Sequence, residues 1–194
     1  MRRKLDNELI YNTALGFFAR YGYKKTTLED IADALNMTGS SIYSYASSKQ
    51  ALYYDCISYA VDKWQESVRL AAAESTEPAD RLLLAFEEAV RYIDSNEQLQ
   101  LLLRNDPSIF PMFPSVDPIE EFNDWAVAFI GDILRCGVEC GSFRDIDTDD
   151  TALILFQIYK YFIISSYVDC SGSSLSVKKH ISTIKTLIMD GLLK

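Results

Sequence analysis

TLEDIADALNMTGSSIYSYASSKQAL, residues 27–52, reads as two short helices joined by a tight turn, with a third helix opening at Lys49. Leu28, Ile31, Ala32 and Leu35 recur on one face at helical spacing. Thr27 is a good N-cap, and Thr26 with Glu29 has the spacing of a capping box. Asn36-Met37-Thr38 breaks the first helix, because Asn tolerates the left-handed backbone that a helix end needs. Thr38 then caps a second helix carrying Gly39, Ser40, Ser41, Ile42, Tyr43, Ser44 and Tyr45. Ile42 is its inward residue, and its small or polar neighbours leave one face free to approach another molecule. A helix-turn-helix of this kind lays its second helix in the DNA major groove. Hydroxyls of Ser and Thr bond base edges there, and Tyr bonds phosphate.

Outward from this stretch, residues 4–21 read as a first helix, with Leu9 or Ile10, Ala14, Phe17 and Phe18 on one side and Gly22 as its stop. Ala14-Leu15, Phe18, Gly22-Tyr23, Thr26-Thr27, Ile31-Ala32, Ile42-Tyr43 and Ser48-Lys49 followed by Leu52 form one ordered pattern. The chain from Ile10 to Leu52 thereby resembles the N-terminal domain of the TetR family of transcriptional regulators. It departs from the family at Ser40, where Gly is usual, at Ala46, where an aromatic is usual, and at Gly39, often basic. The resemblance implies phosphate contacts at Thr27 and Lys49, a homodimer, a palindromic double-stranded operator and a small-molecule effector. It also implies an all-α fold: a three-helix helix-turn-helix head over residues 1–48 and a six-helix body for effector binding and dimerisation over residues 49–194.

The chain has 194 residues, 48% of them hydrophobic, enough for one core shared by two small units. Eight Gly, five Pro and the absence of alternating β-branched runs argue against an all-β fold. A net charge of −9 speaks against nucleic acid at first sight. Its distribution does not: residues 1–50 carry seven Lys or Arg against five Asp or Glu, and the remainder twelve against twenty-three. A basic head meets phosphate and an acidic body does not. Cys56, Cys136, Cys140 and Cys170 form no CxxC pair and accompany a single His, His180, so they read as small hydrophobes and no metal site is expected. The polar start is no signal peptide, and the most apolar stretch, residues 151–168, is interrupted by Gln157 and Lys160. The expected location is the cytoplasm, without a membrane.

The body reads as helices over residues 49–74, 77–94, 97–104, 119–140, 148–169 and 177–193, with an apolar, proline-rich loop at 105–118 and a turn at 171–174. Gly141-Ser142-Phe143-Arg144, with Asp145-Ile146-Asp147 after it, resembles the corner before the last two helices in many TetR-type proteins. The helix at 148–169 is apolar nearly all round and is expected to be covered on every side. It pairs with the last helix across the expected dimer interface, with Phe156, Ile163, Ile181, Ile184 and Ile188 at the seam. Trp64, Phe86, Trp125, Phe129, Tyr159 and Phe162 come from four body helices and are the candidate effector pocket. The acidic body favours a neutral or cationic aromatic effector.

No P-loop, GxGxxG, GxSxG or HExxH occurs, and the adjacent pairs Glu87-Glu88 and Glu120-Glu121 point about 100° apart on a helix. No enzyme and no cofactor are expected. The expected function is that of a DNA-binding repressor released by a small molecule. The alternative is an all-helical interaction module whose body binds a protein partner.

Overall fold

Nine helices run through residues 6–106, 120–167 and 177–193, the residues described by the computed structural model. The head holds α1 (Asn7–Lys25), α2 (Leu28–Ala34) and α3 (Gly39–Ile42), and the body α4 (Lys49–Ala72), α5 (Pro78–Ser95), α6 (Glu97–Asn105), α7 (Glu120–Glu139), α8 (Thr148–Tyr167) and α9 (Val177–Leu192). The expected start of the first helix at Lys4, the loop residues 107–118 and the turn at 171–174 lie outside the described residues.

Asp6 opens α1 by accepting a hydrogen bond from the Glu8 amide. Gly22 takes the left-handed φ of 79° expected of a helix stop, yet it makes a kink, and helical turns resume to Lys25. The capping box of α2 is formed by Thr27 with Asp30, one residue later than the expected Thr26 and Glu29. The kink explains the shift. Thr26 is buried and its hydroxyl donates to the carbonyls of Phe17 and Gly22, which leaves Thr27 to face outward and cap.

Asn36 ends α2 with φ of 53°, as its residue type suggests. The second helix stops at Ile42, short of Tyr45. Ser44 Oγ donates to the Ser41 carbonyl at 2.7 Å, the local side-chain competition that weakens Ser-rich helices. Thr38 stands at the N-cap position without capping; its hydroxyl bonds those of Ser40 and Ser41 instead.

Ser48 caps α4 through the Ala51 amide, Asn96 both ends α5 and caps α6, and Asp147 caps α8 through the amides of Asp149 and Asp150. The short link between α4 and α5 makes them antiparallel neighbours, and they form the most extensive helix pair. α1 lies against α4 and α6, α5 against α7, and α7 against α8, so a single buried core runs from Ile10 to Leu192. Behind α7, Gly141 turns the chain with φ of 79° and sends Phe143 under the helix at Gly137. Arg144 then donates to the carbonyls of Leu193 and Asp190 and closes the C-terminal end of α9.

Within one subunit, the helix expected to be covered all round is covered on one side. Ala152, Leu155, Phe156, Lys160 and Ile163 of α8 face the core, while Leu153, Ile154, Ile158 and Tyr161 are exposed on the subunit. Phe156 and Ile163, expected at the dimer seam, are 2% and 0% exposed within one subunit and so belong to its interior. Periodicity cannot separate inside from outside on a helix that is apolar on both faces.

Candidate nucleic-acid interface and ligand cavity

The head presents Thr27, Thr38, Ser40, Tyr43 and Ser44 to solvent, with Gly39, Ser41 and Tyr45 half-buried and Ile42 and Ala46 beneath them. Hydrophobic anchors at Ile31, Ala32 and Ile42 are buried where α3 packs on α2 and α2 on α1, so the hydroxyl-bearing side turns outward. Tyr43, 54% exposed, does not pack under its helix, whereas Tyr45 rests against the core. The outward set can donate and accept hydrogen bonds but carries no charge of its own. Thr27 is engaged with Asp30, and its hydroxyl, then its amide, hold that carboxyl below its usual range.

Lys49 sits differently from the phosphate contact implied by the resemblance. Its ammonium donates to the carbonyls of Tyr23 at 2.9 Å and Thr26 at 3.1 Å, and lies 4.4 Å from the centre of the Tyr23 ring. Those carbonyls lie at the end of α1, so a cation there satisfies orphan acceptors and the helix dipole together. Lys49 therefore fastens the first turn of α4 to the helix-turn-helix.

In the body, five of the six expected pocket residues converge. Trp64, Phe86, Trp125, Phe129 and Tyr159 line one cavity of about 40 Å³, with Val68, Leu82, Ile130 and Gln65 among their neighbours. Phe162 is absent from the lining; it lies three residues beyond Tyr159, about 4.5 Å further along α8, against Tyr161. Phe156 takes part instead, a residue the sequence reading had sent to the dimer seam. Trp64 is held in place by its indole N–H, which donates to the Ala89 carbonyl at 3.0 Å. Trp125 and Phe129 stack face to face, 5.0 Å apart and 9° from parallel. No Asp, Glu, Lys or Arg is among the lining residues, so the acidity of the body stays outside the cavity. The expectation of a cationic effector, which rested on that acidity, loses its footing.

The side chains of Ile181 and Ile184 lie outside the described residues, and Ile188 is half-buried against the core. The exposed apolar residues of α8 are accompanied on α9 by Leu187. Among the described residues, no group of three or more His, Cys, Asp or Glu converges to hold a metal ion. None of their helices is long and apolar enough to cross a membrane.

Residues 10–56 match the family model described as bacterial regulatory proteins, tetR family. The transcriptional repressor KstR2 of Mycobacterium tuberculosis is 26% identical over 186 residues, 93% of this chain and 90% of that protein. Among solved structures, the fatty acid degradation regulator FadR of Bacillus halodurans superposes with a TM-score of 0.77 at 14% identity, covering 97% of both chains. A regulator from Saccharomonospora viridis, solved in complex with choline, superposes with a TM-score of 0.75 at 20% identity, again over 97% of both.

Proposed function

The chain belongs to the TetR family of transcriptional regulators, and on that premise we propose that it is a homodimeric repressor whose hold on a palindromic operator is released when a small molecule enters the body. One observation carries the reading: α4 belongs to both sites. Its first residue, Lys49, is fastened to the end of α1, while Trp64, Gln65 and Val68 from its second half line the cavity. Its 24 residues span about 36 Å at the usual rise, so a small tilt forced at the cavity moves the head. A ligand that favours the tilted arrangement weakens operator binding by the same factor that the operator weakens ligand binding.

Thr38, Ser40, Tyr43 and Ser44 are the proposed groove-facing residues. One short helix reads few base pairs, and a two-fold dimer doubles the site at a spacing of about 34 Å or a multiple of it. The exposed strip of Leu153, Ile154, Ile158 and Tyr161 with Leu187 supplies the apolar surface for the dimer. The named relative KstR2 is a repressor, which supports the sign of the regulation, and the choline complex of the Saccharomonospora viridis protein supports ligand entry in this fold. The regulator works where the chromosome is, in the cytoplasm.

Selecting operator sequences from a random duplex library tests this reading. Recovery of a palindrome, bound by one dimer in sedimentation, is the expected result. Enrichment of no sequence, with the chain monomeric at micromolar concentration, overturns it.

A further inference from the structure

Four residues of the cavity lining carry a polar group, and none of these groups is exposed in the cavity. The Trp64 indole N–H is spent on Ala89, and Gln65 and the Trp125 indole are the second and third. The fourth is the hydroxyl of Tyr159, whose oxygen is buried and finds no hydrogen-bond partner among the described residues. Burial, reinforced by the neighbouring Tyr167, pushes this phenol well above its ordinary range, so it stays a neutral O–H donor. The rings of Phe86 and Trp64 flank it at 6.1 Å and 6.5 Å between centres. A buried donor without a protein acceptor is costly, and a Phe at this position would fill the same space without that cost. A hydroxyl kept at such a place is explained by an acceptor that arrives with the ligand.

We propose that Tyr159 is the polar anchor of the effector, and that the effector is a neutral, mostly apolar molecule carrying a hydrogen-bond acceptor such as a carbonyl oxygen. This rests on the ligand-responsive reading above. An anion would bring its charge into a lining without a cation, and a cation would meet no carboxylate; both are disfavoured by desolvation. The free space of about 40 Å³ is far below the roughly 300 Å³ or more of pockets for drug-sized ligands. Binding therefore displaces a wall. Trp64 is pinned by its hydrogen bond and Phe156 is buried, whereas the stacked rings of Trp125 and Phe129 are only half-buried and form the more exposed wall.

Two probes of equal shape test the anchor. Acetophenone has the carbonyl, and α-methylstyrene replaces it with a methylene. Both of the chain's Trp residues, Trp64 and Trp125, line the cavity, so their fluorescence reports entry while calorimetry gives the affinity. The full-length dimer should bind acetophenone about two- to tenfold more tightly than α-methylstyrene, the worth of one hydrogen bond. In Tyr159→Phe the ratio should fall to about one, with α-methylstyrene affinity unchanged and the melting temperature undiminished, since no protein hydrogen bond is lost. A ratio that persists in Tyr159→Phe overturns the anchor alone. Tighter binding of phenyltrimethylammonium or benzoate than of acetophenone overturns the neutral class. If neither acetophenone nor α-methylstyrene binds while the operator is still held, the ligand cavity fails and the anchor with it.

Discussion

Tyr53 Oη donates a hydrogen bond to the carboxylate of Asp106, so the head-bearing part of α4 is tied to the residue that ends α6. A second tie runs from Asn105 Nδ2 to the Ala19 carbonyl at 2.6 Å, joining the same end of α6 to α1. Head and body are thus held by named polar contacts as well as by packing. Tyr53→Phe removes one of them beside a carboxylate and should cost about 1–2 kcal/mol. Calorimetry should show a melting temperature lower by about 2–8 °C; an unchanged value would mean that the tie contributes nothing.

Lys49→Ala separates two roles for one cation. As the bridge to Tyr23 and Thr26, Lys49 orders the head, so its loss should weaken operator binding and lower the melting temperature while leaving the salt dependence of binding as it was. As a phosphate contact, its loss would lower the slope of log K against log salt by about one. The bridge is the expected outcome, read by anisotropy titrations at several salt concentrations.

Gly137→Ala should be among the most damaging single methyl additions in the body. A Cβ there would lie 2.0 Å from the Phe143 ring, which is fully buried and cannot retreat. Overpacking of this kind costs about 1–3 kcal/mol. Gly191→Ala is the control: nothing stands within 4 Å, and Ala gains up to about 1 kcal/mol of helix propensity. Urea unfolding of both variants should show opposite shifts of the midpoint.

Ile154→Asp puts a charge on the exposed strip of α8 at a residue 58% exposed in one subunit. The subunit should fold as before, and sedimentation velocity should find a monomer that no longer protects the operator. A dimer of undiminished affinity would move the interface elsewhere.

Alkaline pH should unfold the protein through its buried phenols. Burial first, then hydrogen bonds to Asp106 and Asp94, raise Tyr53 and Tyr167, and burial raises Tyr159. A folded-state value above the unfolded one means a contribution fully present below pH 10 and lost as pH rises past it. Absorbance at 295 nm should show these phenols ionising together with loss of helix.

The helices were legible because their signals are local. Gly22, Asn36, Pro78, Gly141 and Asp147 act through the backbone of their own neighbours, and each stands at a bend or helix end of the kind its residue type specifies. The convergence of Trp64, Phe86, Trp125, Phe129 and Tyr159 was also legible, because large rings recurring on inward faces of four helices have nowhere else to go. Other features depended on distant partners. Thr27 caps as its residue type suggests, but the capping box pairs it with Asp30 and not Thr26 with Glu29, because the Thr26 hydroxyl is engaged by the carbonyls of Phe17 and Gly22 at the α1 kink. The Lys49 ammonium reaches the carbonyls of Tyr23 and Thr26, 26 and 23 residues away. On α8 the pattern was mute, since an apolar residue at every position fits either face. Only the packing of α7 against α8 sent Phe156 and Ile163 inward and left Ile154 and Ile158 bare. Sequence alone thus determined which segments are helical and that the first fifty residues form a helix-turn-helix, as hydrogen bonds four residues apart and side-chain periodicity are properties of short stretches. Tertiary structure alone decided which of two equivalent apolar faces is core, which carbonyls receive a cation, and that the Tyr159 hydroxyl meets no protein acceptor among the described residues, since each depends on atoms brought together from far along the chain.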